Sequence, residues 1–139
     1  MFFSRKRVAG TSVPATGDSS QITTKRLGDE AETAAQAYLV KAGLKLVERN
    51  YRTPGRGGGE IDLIMHDADG TLVFVEVRRR AGPSHGGAAA SIGSVKQQRI
   101  IFAARSYLTR FASPPPCRFD VVLVEGAAIE WLRAAFDAS

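Results

Sequence analysis

Three carboxylate side chains lie within the two apolar, strand-like segments of the stretch GGGEIDLIMHDADGTLVFVEVRRR (residues 57–80), the most hydrophobic part of the chain. Glu60 and Asp62 alternate with apolar residues on one strand-like segment, and Glu76 lies on the next, just before three arginines (78–80). Carboxylates on a largely apolar sheet destabilise it unless something offsets their charge. The chemistry that fits these residue types and spacings is a shared proton, an ion pair with a basic side chain, or a bound cation.

The relative position of these carboxylates depends on the turn of the hairpin. A two-residue turn at Asp69-Gly70 would place Asp62 and Glu76 on opposite faces of the sheet. A three-residue loop (68–70) with its glycine in the left-handed conformation pairs them directly on one face, with their β-carbons roughly 4.5–5.5 Å apart. We favour the second register, although the residues themselves permit both.

Two like charges directly opposed on one face call for a partner that neutralises them. A hard divalent ion is an economical solution, because Mg²⁺ is commonly held by one or two carboxylates together with waters and substrate phosphates. In the alternative arrangement, Asp62 is solvated near the end of the sheet, Glu76 pairs with an arginine, and the acidic cluster is only structural. The spacing leaves both interpretations open.

The elements that position this hairpin follow from hydrophobic periodicity and from turn residues. They are a helix (about 27–42), a strand (44–52), the hairpin itself, a loop (81–93), a second long helix (94 to about 111), a buried strand (117–126), and a short edge strand (127–132) followed by a helical turn. Ser94 and Gln97 have the spacing of a capping box, which predicts that Ser94 caps the second helix. The order α-β-β-β-α-β-β predicts an α/β fold with helices on a mixed sheet of four or five strands.

The charge distribution separates the N-terminal residues from the rest of the chain. Residues 1–26 carry five basic side chains and one acidic side chain, whereas residues 27–139 carry 14 basic and 13 acidic ones. We therefore predict a disordered basic leader (1–26) followed by a single α/β domain (27–139). A basic arm adds nonspecific affinity for phosphates, but a solvated tail without a partner has the same composition.

Composition also excludes several classes of protein. The single cysteine, Cys117, rules out an internal disulfide framework and a CxxC or Cys/His zinc site. No apolar run approaches the roughly 18 residues of a membrane span, and the charged N-terminus lacks the apolar segment of a signal peptide. We expect a cytoplasmic protein without a membrane partner.

Several motifs together carry a resemblance to a known family. They are E-x-x-A-x-x-Y-L in the first helix, E-R-N-Y-R, G-E-I-D-L-I, F-V-E-V-R-x-R, G-G-A-A-A-S-I, K-Q-x-R-I and C-R-F-D-V-V. The chain is similar in these motifs to the uncharacterised bacterial family typified by YraN, from about Gly28 to Trp131. Those proteins resemble the PD-(D/E)XK nuclease superfamily, in particular archaeal Holliday-junction resolvases. The resemblance implies a restriction-endonuclease-like fold, Mg²⁺ or Mn²⁺ as cofactor, and DNA, branched or single-stranded, as partner.

The resemblance also implies catalytic roles for individual residues. The metal-binding aspartate of the superfamily falls on Asp62, the acidic residue of its (D/E)XK motif on Glu76, and a further helix-borne glutamate on Glu32. The lysine of the motif falls on Arg78, which departs from the pattern, because arginine stays protonated and only positions water or phosphate. Lys96, at the start of the second long helix, is a candidate substitute if that helix end faces the site. Its other interpretation is a solvated lysine on a helix terminus.

Four basic residues are candidates for contact with nucleic acid: Arg78, Arg80, Lys96 and Arg99. Two functional hypotheses follow. The first is a metal-dependent endonuclease that acts on DNA, and the second is a module with a degenerate nuclease fold that binds nucleic acid or a protein without cutting it. The E-X-R form of the motif favours the second, and the presence of both Asp62 and Glu76 favours the first. Whether the chain forms a homodimer, as resolvases do, is left open by the residues.

Overall fold

The computed structural model describes residues 19–55, 57–80 and 92–138, with side chains from residue 25 onward. The chain divides into two compact units, Met1–Glu30 and Ala31–Ser139. In the described part of the first unit, which is helical, Lys25 Nζ lies 3.6 Å from Asp29 Oδ2 at the surface. Residues 1–18 of the predicted leader and residues 81–91 of the predicted loop lie outside the described residues, so the disorder of the leader stays a prediction.

The second unit contains a five-stranded mixed sheet, and the described elements occur in the predicted order. They are α1 (Ser19–Lys41), β1 (Lys45–Arg52), β2 (Glu60–His66), β3 (Leu72–Arg79), α2 (Ser94–Leu108), β4 (Cys117–Glu125) and β5 (Ala128–Phe136). The sheet order is β1-β2-β3-β4-β5, with β3 and β4 parallel and the other neighbours antiparallel. The predicted α/β class and mixed sheet are confirmed. No helix within the described ranges combines the length and hydropathy that a membrane crossing needs.

The two helices cover opposite faces of the sheet. Successive side chains of a strand point to opposite faces, and along β3 Val73 and Val75 pack in the cluster of α1, whereas Leu72 and Phe74 pack in the cluster of α2. In α1 the cluster residues recur at helical spacing: Ala31, Ala35 and Leu39. In α2 they are Ile100, Ile101, Ala103, Ala104 and Tyr107. The sheet is therefore the middle layer, with a hydrophobic core on each side.

Both helices differ from prediction at their ends. α1 begins at Ser19, eight residues before the predicted start, so residues 19–26 of the predicted leader are helical. The capping-box prediction is wrong, because the N-cap of α2 is Gly93 without a side-chain cap hydrogen bond. Ser94 is the first helical residue, and the Gln97 side-chain amide donates instead to the Ile92 carbonyl at 2.8 Å. α2 also ends at Leu108 rather than near residue 111.

The C-terminal segment is a strand where the sequence predicted a short strand and a helical turn. β5 continues to Phe136 because the buried Asp120 carboxylate holds it: Trp131 Nε1 and the Ala134 N–H each donate to Asp120 at 2.9 Å. Ala134 takes a left-handed φ of 51°, which marks the irregularity that this hydrogen bond stabilises. Arg118 also pairs with Asp120, its Nε donating to Oδ1 at 3.0 Å.

Candidate metal centre and nucleic-acid interface

The register of the β2–β3 hairpin places Asp62 opposite Glu76. Leu63 pairs with Val75, and the Asp67 N–H donates to the Thr71 carbonyl at 2.9 Å across the loop. Gly70 has a φ of 94°, in the left-handed region that glycine adopts without strain. The three-residue loop favoured from the sequence is confirmed, and continuing this register by one position brings the two acidic residues onto one face.

The two strands separate where these acidic residues lie. Their pairing ends at Leu63 and Val75, and the next hydrogen bond would join the Val77 N–H to the carbonyl of Ile61. Instead the Val77 N–H donates to the Asp62 carboxylate, at 2.8 Å from Oδ2. Beyond this point β2 stays paired with β1 and β3 stays paired with β4. Asp62 and Glu76 therefore occupy a fork in the middle of the sheet.

β1 changes face next to this fork. Side chains two residues apart in a strand normally share a face, yet Arg49 lies 3.5 Å from Glu32 of α1, whereas the Tyr51 hydroxyl lies 2.9 Å from the Ser106 hydroxyl of α2. Asn50 stands between them with a φ of 56°. Asparagine tolerates this left-handed conformation better than most residues, so Asn50 is the residue at which the alternation of β1 reverses.

β2 changes face at the residue opposite Asn50. Ile61 packs in the cluster of α2, whereas Leu63, two residues further, packs in the cluster of α1. The neighbouring pairs of the β1–β2 ladder show that Asp62 lies opposite Asn50. Asp62 consequently sits at the reversal, where side chains of both helices influence it: Glu32 of α1 and Lys96 of α2 interact electrostatically with its carboxylate.

The carboxylates at the fork bind protons more tightly than ordinary ones. Burial, followed by the charge of Glu76, raises the pKa of Asp62 to about 7, against the opposing effects of the Val77 N–H and of Lys96. Burial also raises the pKa of Glu76, which is only 7% exposed, although the charge of Lys96 opposes that rise. These directions reflect two acidic groups whose negative charge the surrounding protein does not fully offset.

Lys96 is the cation in contact with Glu76. Its Nζ lies 3.5 Å from Glu76 Oε2, and half of its side chain remains exposed. Arg78, two residues beyond Glu76 on the same strand, also lowers the pKa of Glu76, but less than Lys96 does. The helix end that carries Lys96 thus faces the site, and a lysine stands beside the acidic pair even though the motif itself holds Arg78.

Glu32 forms the α1 side of the site. Burial, followed by the charge of Asp62, raises the pKa of this carboxyl group, while Arg49 and Asn50 lower it. Its Oε1 atom is buried 3.5 Å from Arg49 Nε and accepts no hydrogen bond from the described residues. A buried carboxylate oxygen without a hydrogen-bond donor is uncommon in native structures, and here the charge of Arg49 is what stabilises it.

The donor set fits a divalent cation that is held only partly by protein. Among residues 19–55, 57–80 and 92–138, no three His, Cys, Asp or Glu side chains are grouped closely enough to hold a metal. Asp62 and Glu76 supply two hard oxygen donors on neighbouring strands, and burial raises the pKa of both. Two carboxylates with waters and a substrate phosphate match the usual coordination of Mg²⁺, and these two residues would hold the ion.

The other candidates for nucleic-acid contact lie in different surroundings. The Arg80 guanidinium is mostly buried and lies 3.6 Å from both Glu125 and Glu130, so it faces β4 and β5 rather than open solvent. Arg99 is exposed on α2, and its Nη2 donates to the Gly58 carbonyl at 3.4 Å. The structure therefore places Lys96 and Arg99 on the exposed side of α2 and separates Arg80 from them.

Gly59 is the residue that brings α2 close to the fork. A β-carbon at this position would lie 1.9 Å from the Arg99 carbonyl oxygen, closer than any side chain tolerates. Thr53 and Gly59 also pair through their backbones, the Thr53 N–H donating to the Gly59 carbonyl at 3.1 Å. The glycine run that precedes β2 thus lets the helix pack directly on the backbone at the start of that strand, one turn from Lys96.

One exposed aromatic residue escaped the sequence interpretation. Phe102 lies on α2 between Arg99 and Arg105 and is 54% exposed. The sequence signal that could have identified it is its helical spacing, because residues three positions apart lie on one side of a helix and those on either side of Phe102 are arginines. The structure agrees, since the adjacent Ile101 and Ala103 are buried and Phe102 is not.

Comparison with known proteins assigns the family. A family model described as "Uncharacterised protein family UPF0102" matches residues 31–124. The chain is 65% identical over 151 residues to a UPF0102 protein of Polaromonas sp. (strain JS666 / ATCC BAA-500), covering 100% of both chains. It is 69% identical over 121 residues to one of Methylibium petroleiphilum, covering 85% of this chain and 99% of the relative. The resemblance to the YraN-like family is thereby confirmed, and the chain belongs to the UPF0102 family.

Proposed function

We propose that this protein is a metal-dependent endonuclease that acts on DNA in the cytoplasm. The observation that carries the proposal is the pair Asp62 and Glu76, which meet at a fork of the sheet with raised pKa values and with Lys96 Nζ 3.5 Å from Glu76. Carboxylates that destabilise a fold in this way are expected where a ligand supplies the missing positive charge. A phosphodiester group offers anionic oxygens that would complete the coordination of a bound cation.

The two acidic residues would hold Mg²⁺ or Mn²⁺ between them. A divalent cation supplies a Lewis acid that makes a nearby water more acidic and stabilises negative charge on phosphorus. The residues of the chain position the reactants around it. Asp62 is held in place by the Val77 N–H, and Glu32, whose pKa the charge of Asp62 raises, would assist from the α1 side.

Lys96 takes over the role of the lysine in the (D/E)XK motif, a position that Arg78 occupies in this chain. Lysine changes its pKa with its surroundings and is a compact donor, whereas the Arg78 guanidinium stays charged and forks onto phosphate oxygens. We therefore assign Lys96 to the attacking water and Arg78 to the scissile phosphate. Lys96 is half exposed, so a phosphate and a water have access to it.

A second candidate function is a module that binds DNA without cutting it. It is favoured by Arg78, because Glu76-Val77-Arg78 lacks the motif's lysine. Both functions have DNA as the partner. They differ in whether Lys96 replaces the missing lysine of the motif and so allows cleavage.

A cleavage assay separates these two functions. End-labelled single-stranded, duplex and four-way-junction DNA is incubated with the full chain in Mg²⁺, in Mn²⁺ and in a chelator. The endonuclease proposal expects products with metal from the wild type and none from Asp62→Asn or Glu76→Gln. DNA binding by gel shift without any cleavage, in all metals and on all substrates, would leave the binding module as the function.

A further inference from the structure

A groove runs along the exposed side of α2, next to the glycines that precede β2. It has a volume of about 460 Å³, and its lining includes Gly57, Gly58, Val95, Arg99, Phe102 and Arg105. A second, smaller groove of about 250 Å³ shares Gly58 and Arg99 with it and continues past Gly59 to Glu60, at the start of β2. Glu60 is two residues before Asp62 on β2, so the second groove reaches the strand that carries Asp62, while Asp62, Glu76 and Lys96 themselves lie outside the lining of both grooves.

The charge of this surface is suited to an anion. Arg99 and Arg105 stand on one side of α2, separated by about 9 Å along the helix axis at 1.5 Å per residue. The continuation of the groove adds Arg52, whose Nη2 lies 3.8 Å from Glu60 Oε1 in an exposed pair. Glu60 is the acidic residue of the lining, and Arg52 partly offsets it. Three arginines against one glutamate leave the surface positive.

Phe102 adds a second feature that points to the kind of anion. Its ring lies in the groove between Arg99 and Arg105 and is 54% exposed, whereas the buried side of α2 is filled by Ile100, Ile101 and Ala104. A flat ring flanked by guanidinium groups is the combination with which proteins bind single strands, because bases stack on the ring and arginines contact the phosphates. A duplex keeps its bases stacked on one another and would leave the ring unused.

We propose that this groove binds single-stranded DNA, with one base stacked on Phe102 and with Arg99 and Arg105 on the flanking phosphates. The inference rests on the proposed function, because it makes the groove the channel that leads an unpaired strand to Asp62 and Glu76. It adds to that function the class of substrate: DNA with an unpaired segment next to the cleaved bond.

Binding without metal tests the groove separately from the chemistry. The affinity of a fluorescent oligo-dT for the full chain is measured by anisotropy in the presence of a chelator, with duplex DNA and an oligo-U RNA of equal length as comparisons. We expect the oligo-dT to bind more tightly than the duplex. Phe102→Ala should weaken it about fivefold or more, the lower end of what one stacked base contributes. Phe102→Tyr should restore binding, whereas Phe102→Leu should not.

The arginines have their own readout and a matched control. Arg105→Ala should reduce the slope of log affinity against log salt by about 0.7, the value for one phosphate of a single strand. Lys45→Ala, at the opposite end of the β1–β2 pairing from Asp62, should change neither affinity nor slope. The melting temperature of each variant checks folding, which the exposure of Phe102 makes insensitive to substitution.

Three results would overturn the groove, whatever the cleavage assay shows. The first is equal affinity of Phe102→Ala and Phe102→Leu with the wild type. The second is that the wild type binds duplex DNA or oligo-U more tightly than oligo-dT, and that these variants do not change this preference. The third is a wild-type dimer in light scattering that Phe102→Ala converts to monomer, which would assign the groove to a second copy of the chain. Conversely, if oligo-dT binding depends on Phe102 but the protein cleaves no DNA, the groove binds single-stranded DNA and the endonuclease proposal is rejected.

Discussion

The carboxylate of Asp62 accepts a hydrogen bond of 2.8 Å from the backbone N–H of Val77. This side chain thereby takes the place of the backbone carbonyl that would otherwise continue the β2–β3 ladder. The separation of the strands and the position of the acidic pair are therefore one feature: the residue that opens the sheet is also the residue that would hold a metal. An asparagine at this position retains an oxygen that accepts the same hydrogen bond but carries no charge.

Our first prediction concerns the dependence of stability on pH. Asp62 has a pKa of about 7 in the folded chain and close to 3.9 when unfolded. Between these values the folded state binds more protons than the unfolded state, so the free energy of unfolding falls as the pH rises and levels off above about 7. Asp62→Asn should reduce this decline, while Glu76, whose pKa burial raises as well, retains its part. Without metal the variant should be more stable than the wild type at pH 8 by on the order of a few kcal/mol.

Urea unfolding of both proteins at several pH values, in the presence of a chelator, measures this difference. The difference between the two stabilities should be small near pH 4, where Asp62 is protonated in the folded protein and about half protonated in the unfolded chain. Parallel pH profiles for wild type and Asp62→Asn would show that Asp62 does not carry the uncompensated charge.

The second prediction concerns Gly59 and the placement of α2. Gly59→Ala should lower the free energy of unfolding by about 1–3 kcal/mol, because its β-carbon would meet the Arg99 carbonyl oxygen at 1.9 Å and must displace the helix. The same shift moves Lys96 away from Glu76, so the affinity for metal should change as well. Gly28→Ala is the matched control, since nothing lies within 4 Å of its added methyl group. A fully stable Gly59→Ala would mean that α2 is not held this closely.

The third prediction separates Lys96 from Arg78. Lys96→Ala removes the ammonium group 3.5 Å from Glu76 and should slow single-turnover cleavage by about 100-fold or more, the usual contribution of a group that assists proton transfer. DNA binding should remain mostly intact, because many other contacts contribute. Arg78→Lys restores the motif's lysine and should keep or raise the rate.

Lys45→Ala provides the control for loss of a surface lysine. If Lys96→Ala cuts as fast as the wild type, the lysine is only an ion-pair partner of Glu76. Loss of cleavage in Arg78→Lys would instead show that the guanidinium is required where the motif has lysine.

The sequence predicts the hairpin well because its information is local. Asp69 and Gly70 restrict the turn to two registers, and the favoured one, with Gly70 in the left-handed conformation, pairs Asp62 with Glu76 as the structure does. The element order and the mixed sheet follow in the same way from hydrophobic periodicity.

The remaining features depend on contacts that are distant in sequence. The reversal of β1 at Asn50 requires α1 and α2 to take Arg49 and Tyr51 on opposite faces. The extension of β5 depends on the buried Asp120, which donors more than ten residues away satisfy. Phe102 received no assignment from the sequence, because a phenylalanine is usually buried and only the packing of α2 shows which side of the helix is exposed.

The central claim is that Asp62 and Glu76 bind a divalent cation, and a metal titration tests it most directly. Mg²⁺ and Mn²⁺ are titrated into wild type, Asp62→Asn and Asp69→Asn by calorimetry, with the melting temperature followed in parallel. Asp69 lies in the loop of the same hairpin, so it controls for the loss of one carboxylate. We predict binding to wild type and Asp69→Asn, with about 2.7 kcal/mol of stabilisation at 100 times the dissociation constant, and no binding to Asp62→Asn. Equal binding and equal stabilisation of Asp62→Asn and wild type would contradict the account.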